Sequence, residues 1–240
     1  MGVTIVVDDS QRKAARIVGL SYLLAIPPAL FAGIYVAGHL AGLGPAEAAQ
    51  WISAHQHLFR LGIASDLIAF TLDIALITAL YVVLEPVNRS LALFAAICRI
   101  IETALFFAVT LKYFDMLGLV SGADYLSSFE ADRLQALARL AISAHNSGYN
   151  VGLVLAGLGS TVFCYLWLRS GYIPRGLAAF GIFASAVLAT FTFAYVIFPE
   201  YARIVTVAFY GGPIFLFELA MGFWLSIKGL RETRGGTALT

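Results

Sequence analysis

Four ionisable residues lie within long apolar stretches of the sequence, where a charged side chain is costly: Asp73, Arg99, Glu102 and Glu218. In a membrane-spanning helix, such a residue costs at least about 2.5 to 3.5 kcal/mol at the bilayer centre, so it usually faces other helices or a wet cavity. At about 1.5 Å per helical residue, all four are about 14 to 18 Å from the same membrane boundary. This common depth predicts one cluster near the midplane.

The spacing of these residues indicates how they pair. Arg99 and Glu102 are three residues apart and share a helix face, so an ion pair is available. Asp73 comes from the preceding helix across a short turn, and we expect it to be the second partner of Arg99. Three carboxylates would then accompany one guanidinium, so one acid is expected to accept a proton. The functional interpretation is a proton or cation relay, and the alternative is a satisfied ionic network that fixes helix packing.

Two further polar residues extend this pattern along one helix. Asp66 and Asp73 are seven residues apart and share a face, and Arg60 lies six residues before Asp66. The spacing predicts a polar stripe from the membrane rim to the midplane, with Arg60 and Asp66 as binding or relay residues. For Arg60, the alternative is an interfacial arginine whose head group reaches water.

Two histidines occupy equivalent places in a possible internal repeat. The stretch Ile52-Ser53-Ala54-His55-Gln56 recurs as Ile142-Ser143-Ala144-His145-Asn146. If a two-fold axis related the copies, His55 and His145 could ligate haem or a metal. The alternative is two interfacial histidines that cap their helices. Because no Cys-x-x-Cys-His, His-x-x-x-His or acidic metal motif accompanies them, we predict no metal and no cofactor.

Composition determines the class of protein that must position these residues. Of 240 residues, 60% are apolar, with 15 Lys and Arg against 14 Asp and Glu. A mean hydropathy of +0.87 leaves no polar stretch long enough for a separate soluble domain. The net charge of +1 provides no basic surface for nucleic acid. The composition predicts a polytopic protein surrounded by a lipid bilayer.

The apolar segments predict an all-α bundle of six transmembrane helices in a single transmembrane domain. Continuously apolar runs exclude the alternating pattern of a membrane β-barrel. Amphipathic helices are expected at 45–57 and 129–144, either on the outer surface or extending the helix that follows. The transmembrane helices are predicted at about 14–38, 58–84, 90–118, 147–170, 176–198 and 204–228, with a cytoplasmic leader at 1–13 and a cytoplasmic tail at 229–240.

The distribution of Lys and Arg predicts the orientation, because short cytoplasmic loops retain positive charge. Both termini are therefore expected to be cytoplasmic. Three tryptophans, Trp51, Trp167 and Trp224, fit an aromatic belt at the two boundaries. The basic residues assigned to the cytoplasmic side are Arg12, Lys13, Arg16, Arg89, Arg169, Arg175, Lys228, Arg231 and Arg234.

Proline and glycine suggest interruptions in two of the predicted helices. Pro27-Pro28 in the first helix and Gly211-Gly212-Pro213 in the sixth are expected to break the backbone hydrogen-bond ladder near mid-depth. Broken spanning helices beside charged residues are typical of transporter binding sites. The alternative is a pair of kinks that only shape packing.

Three stretches resemble a bacterial membrane family known as domain of unknown function 4386. They are Phe59 to Leu67, Leu80 to Arg89 and Ser121 to Leu126, and the similarity extends from about Arg16 to Lys228. The resemblance implies a six- or seven-helix bundle in a bacterial inner membrane. It implies no reaction and therefore no catalytic residues.

The leading functional hypothesis is proton-linked binding or transport of a small polar or anionic solute in a midplane cavity. Arg99 would bind the anion or its acidic partner, and Glu218 or Asp73 would transfer the proton. One alternative is a non-catalytic subunit or assembly factor of a membrane complex, which requires protein partners. A second is an integral membrane redox protein that uses haem or quinone. We do not expect the protein to be an enzyme under the first two hypotheses.

Overall fold

The computed structural model describes residues 7–121, 124–126, 128–198, 200 and 207–231, and the regular elements among them are helices. The helices are α1 (Asp9–Leu30), a π-helical segment (Phe31–Ala37), α2 (Gly38–Ala41), α3 (Pro45–Ala54), α4 (Gln56–Leu84), α5 (Arg89–Leu119), a 3₁₀ turn (Asp124–Leu126), α6 (Ala131–Ser170), α7 (Arg175–Ile197) and α8 (Val207–Ile227). The predicted all-α class is confirmed.

Six of these helical stretches are long and apolar enough to cross a membrane, as the sequence predicted. The observed stretches are longer than predicted at several ends, and the first runs from Asp9 to Ala41 without a break. Predicted positions 204–206 of the last helix lie outside the described residues, as do positions 1–6 of the leader and 232–240 of the tail.

The expected interruption at Pro27-Pro28 is wrong, because α1 continues through both prolines. One turn after the prolines, the backbone changes to π-helix over Phe31–Ala37, where the N–H of Gly38 donates to the carbonyl of Gly33. In a π-helix, each bond spans five residues instead of four, so the helix gains a residue without unwinding. The first apolar stretch is therefore continuous, with a change of helix type after the prolines.

The expected interruption at Gly211-Gly212-Pro213 is also wrong. Helix α8 contains Pro213 and continues from Val207 to Ile227. Pro213 is the seventh residue of this helix, so its missing N–H affects only a bond near the described start. Neither α1 nor α8 is therefore a broken helix of the kind typical of transporter binding sites.

The two amphipathic segments differ from each other. The first is α3, which begins after Gly44, whose N–H donates to the Glu47 carboxylate at 2.9 Å. It ends at His55, whose φ of −123° and ψ of 39° separate α3 from α4. The second is the amino-terminal part of α6, a single helix of 40 residues. The predicted extension of the following helix is thus observed for the second segment.

The chain divides into two compact units, and the expectation of a single transmembrane domain stays a prediction. Unit 1 comprises the described residues within Met1–Leu23, Leu72–Glu102 and Val151–Thr240, and unit 2 those within Leu24–Thr71 and Thr103–Asn150. Helices α1, α4, α5 and α6 contribute residues to both units.

The core of unit 1 is formed by side chains of all its helices, including Leu76, Leu84, Phe217 and Leu225. Trp167 is 1% exposed in this core and meets Tyr172 edge-on at 6.4 Å between ring centroids. The prediction that Trp167 belongs to an interfacial belt is therefore wrong. Its large ring packs inside the protein, and hydropathy gives no signal for that choice.

The core of unit 2 combines aliphatic side chains with aromatic rings. Val36, Ile52 and Met116 are buried there beside Phe59 and Tyr113. The rings of Phe59 and Tyr113 meet edge-on at 5.1 Å. Gly62 permits the close approach of Val36 in this core, because a Cβ at that position would lie 2.9 Å from Cγ2 of Val36.

Candidate functional site

The predicted pairing of Asp73, Arg99 and Glu102 is present in unit 1. The Arg99 guanidinium donates through one nitrogen to both Asp73 oxygens, at 2.8 and 3.0 Å. Through its other terminal nitrogen it donates to Oε1 of Glu102 at 3.2 Å and lies 3.0 Å from Oε2. One guanidinium is therefore shared between two carboxylates.

Local sequence explains why these three groups meet. Arg99 and Glu102 are one helical turn apart on α5, so their side chains lie on the same face. A short turn joins α4 to α5, and Oδ1 of Asn88 accepts the N–H of Leu91 at 3.0 Å at the start of α5. The turn brings Asp73 of α4 beside Arg99 of α5.

Burial makes this ion pairing strong. The side chains of Glu102 and Arg99 are 2% and 10% exposed, and that of Asp73 is 17% exposed. Opposite charges attract more strongly where water is excluded, and a buried charge without a partner is costly. The network therefore offsets the cost of placing the Arg99 charge within unit 1.

Glu218 of α8 is the third acid, and it differs from the other two. It interacts electrostatically with Arg99 and Asp73. Among the described residues, its carboxylate makes no hydrogen bond and no ion pair within 4 Å. The hydrogen-bonding capacity of Glu218 is therefore not used by the described protein groups.

Two features of the site are absent from the sequence prediction. Tyr22 of α1 interacts electrostatically with Glu218, Arg99 and Asp73. Gly159 of α6 makes room for Arg99, because a Cβ there would lie 2.9 Å from Arg99 Cγ and 2.9 Å from the carbonyl oxygen of Ala95. A tyrosine or glycine within an apolar run gives no signal of these contacts, since both residues are common in spanning helices.

The other predicted relay residues, Arg60 and Asp66, belong to unit 2. Arg60 is exposed, and Asp66 is half-buried and interacts electrostatically with Tyr113. Their role in a polar stripe stays a prediction.

The two histidines of the possible repeat have different environments within unit 2. His55 is exposed, and its Nδ1 lies 2.9 Å from the carbonyl oxygen of Trp51. His145 is 6% exposed within the continuous helix α6. Its ring stacks on that of Tyr113, with 3.9 Å between the ring centroids. Its Nδ1 lies 3.1 Å from the carbonyl oxygen of Val109. Haem or metal ligation by the pair stays a prediction.

The cluster of unit 1 combines one guanidinium with three carboxyl groups. Arg99 is engaged by Asp73 and Glu102, and Glu218 adds the third carboxyl group. Two cavities, of about 770 and 530 Å³, lie in unit 2 and are not lined by residues of this cluster. The cluster is therefore an ionic network in its own unit, with two carboxyl groups more than the one that balances the charge of Arg99.

Six apolar helices and a buried ionic network define a multi-pass helical membrane protein. The chain belongs to the family described as domain of unknown function (DUF4386), which it matches over residues 17–229. This confirms the resemblance inferred from the sequence.

One curated relative is named "Uncharacterized protein" and comes from Archaeoglobus fulgidus. It is 25% identical over 158 residues, which cover 66% of this chain and 77% of the relative. No solved structure matches the chain. A function must therefore be inferred from the side chains of this protein.

Proposed function

We propose that the protein binds or transports a small polar solute in a proton-linked manner through the cluster of Asp73, Arg99, Glu102 and Glu218. The observation that supports this most directly is the surplus of carboxylates over guanidinium groups. Arg99 pairs with Asp73 and Glu102, and Glu218 lies in their electrostatic field without a hydrogen bond to a described residue.

The charge balance favours a proton, or a polar solute with a donor group, over an anion. An anion would have to displace a buried carboxylate from Arg99, and the displaced carboxylate would lose its charged partner. A proton on Glu218 instead removes one negative charge from the cluster. We propose Glu218 as the group that exchanges the proton, with Arg99, Asp73 and Glu102 setting its electrostatic environment.

We further propose that the protein functions in a cytoplasmic membrane with both termini on the cytoplasmic side. The distribution of Lys and Arg along the sequence supports this orientation. Labelling of single cysteines introduced at the termini, with a reagent that does not cross intact cells, tests it. Labelling at either terminus before the cells are opened would contradict it.

Proton exchange is tested with purified protein in liposomes that contain a pH-sensitive dye. After an external acid pulse under a potassium and valinomycin clamp, we expect wild-type protein to acidify the lumen faster than protein-free liposomes do. Glu218→Gln should reduce the rate to that of protein-free liposomes, because glutamine cannot exchange a proton. Folding should be retained, since Glu218 makes no ion pair within 4 Å among the described residues.

The matched control is Glu85→Gln, which neutralises an exposed acid paired with Arg89 at 3.3 Å. This variant should keep the wild-type rate. Infrared difference spectra between acidic and neutral pH provide a second readout, in which Glu218→Gln should remove a protonated-carboxyl band. Unchanged proton flux and an unchanged band in Glu218→Gln would refute the proposal.

A further inference from the structure

An unassigned cavity of about 530 Å³ lies in unit 2, and rings form most of its lining. Its six lining residues include four with aromatic or imidazole side chains, and the other two are aliphatic. No Asp, Glu, Lys or Arg is among these six. The lining residues are Leu30, Phe31, Ile34, Tyr35, His39 and Trp51.

The π-helical segment Phe31–Ala37 provides one wall of this cavity, through Phe31, Ile34 and Tyr35. Residues in π-helices are well under 1% of those in globular proteins, and π-helical turns occur frequently at functional sites. The opposite side of the segment is packed, since Ala32 and Val36 are buried. The widened turns therefore combine a packed face with a face that lines a cavity.

The four lining rings form two pairs on different elements, and Trp51 also stacks on His55, outside the lining, at 5.0 Å between ring centroids. The rings of Phe31 and Tyr35 stack with 5.5 Å between their centroids and an interplanar angle of 15°. His39, after the π-helical segment, lies 5.0 Å from Trp51 of α3 between ring centroids. The cavity thus has aromatic surfaces from two parts of the chain.

Polar atoms in the lining are available to a ligand. Among the described residues, no hydrogen bond engages the His39 imidazole, the Tyr35 hydroxyl or the Trp51 indole N–H. Tyr35 is 58% exposed. The Tyr35 hydroxyl and the Trp51 indole N–H are hydrogen-bond donors. The His39 imidazole donates through the ring nitrogen that bears its proton.

We propose that this cavity binds the head group of a lipid-soluble quinone. A flat conjugated ring stacks on aromatic faces, and its carbonyl oxygens accept hydrogen bonds from His39, Tyr35 or Trp51. Leu30 and Ile34 provide aliphatic surface for the substituent chain. A quaternary ammonium group would use the aromatic faces but not the donors, and the six lining residues include no carboxylate to balance its charge.

The proposal is tested by calorimetric titration of decylubiquinone into the protein in nanodiscs made of quinone-free lipid. Empty nanodiscs measure partitioning into lipid. We expect saturable binding at one site, weakened about tenfold by His39→Ala through loss of one hydrogen bond. Trp51→Leu should weaken binding to a similar degree by removing a stacking surface. His57→Ala, which replaces another exposed histidine, is the matched control and should keep wild-type affinity.

Trp51 packs against the core of unit 2, so the thermal midpoint of each variant must first match that of wild type. If Trp51→Leu fails this check, Tyr35→Leu replaces it, because Tyr35 is exposed. Heat equal to that of empty nanodiscs, or equal affinity in His39→Ala and wild type, would overturn the proposal. Tighter binding of dodecyltrimethylammonium at the same residues would also overturn it. Glu218→Gln should leave quinone binding unchanged, which separates this site from the ionic cluster.

Discussion

Unit 1 and unit 2 place polar side chains in an apolar interior by different physical means. In unit 1, Arg99 pairs with two carboxylates, and the interaction depends on charge. In unit 2, His145 is buried against the ring of Tyr113 and beside a backbone carbonyl, without an ion pair among the described residues. An ion requires a charged partner when buried, whereas a neutral imidazole needs only stacking and one hydrogen bond.

This difference predicts that substitutions will cost unequal amounts of stability. In unit 1, loss of one charged group leaves others exposed to the low-dielectric interior. In unit 2, loss of one ring leaves a cavity and an unpaired neutral carbonyl. The following variants test this contrast, and in each case the thermal unfolding midpoint in nanodiscs is measured against wild type.

The largest effect is expected for Arg99→Ala. Removing the guanidinium leaves Asp73 and Glu102 as buried acids without their partner, at a cost of about 3 to 5 kcal/mol. Lys112→Ala is the control, because Lys112 pairs with Asp115 at 2.8 Å on an exposed surface. Exposed pairs contribute about 0 to 1 kcal/mol. Equal losses in the two variants would contradict the assigned role of the buried network.

A smaller loss is expected for Gly159→Ala. The added methyl would meet Arg99 Cγ and the Ala95 carbonyl oxygen at 2.9 Å, so the helices or the arginine must shift. Such overpacking costs about 1 to 3 kcal/mol. A double variant, Gly159→Ala with Arg99→Ala, should lose less stability than the sum of the two single losses. The reason is that Arg99→Ala removes the Cγ atom that the added methyl would meet. Strict additivity would count against this contact.

The next effect, about 1 kcal/mol, is expected for His145→Ala in unit 2. This change removes the stack on Tyr113 and the contact with the carbonyl oxygen of Val109. His55→Ala tests the equivalent position of the possible repeat and should change stability by less than about 0.5 kcal/mol, since His55 is exposed. Equal effects would indicate that the two positions are energetically alike.

The last of these effects should have the opposite sign. At Gly176 in α7, an added Cβ would meet nothing within 4 Å, so Gly176→Ala has no steric cost. Alanine should stabilise the helix by about 0.5 to 1 kcal/mol, because it restricts the unfolded chain. A loss of stability at Gly176 would show that the contrast with Gly159 does not depend on the space available.

Some parts of the site could be predicted because they depend on short sequence distances. The pairing of Arg99 with Glu102 follows from one helical turn, and Asp73 follows from a tight connection between two long helices. The sequence could not predict that Glu218 makes no ion pair with Arg99 within 4 Å, because the distance between the two side chains depends on how α8 packs. The roles of Tyr22 and Gly159 depend on helix packing in the same way.

The sequence by itself determined the membrane class, the six apolar helices and the ionic character of the cluster. These properties depend on hydropathy, helical periodicity and the cost of charge in an apolar medium, all of which are local or additive. Only the tertiary structure decided which acids engage Arg99, that Trp167 enters the core, and that the prolines of α1 lead into π-helical turns. Those outcomes depend on side-chain volumes and long-range contacts, which are settled only when helices distant in sequence pack together.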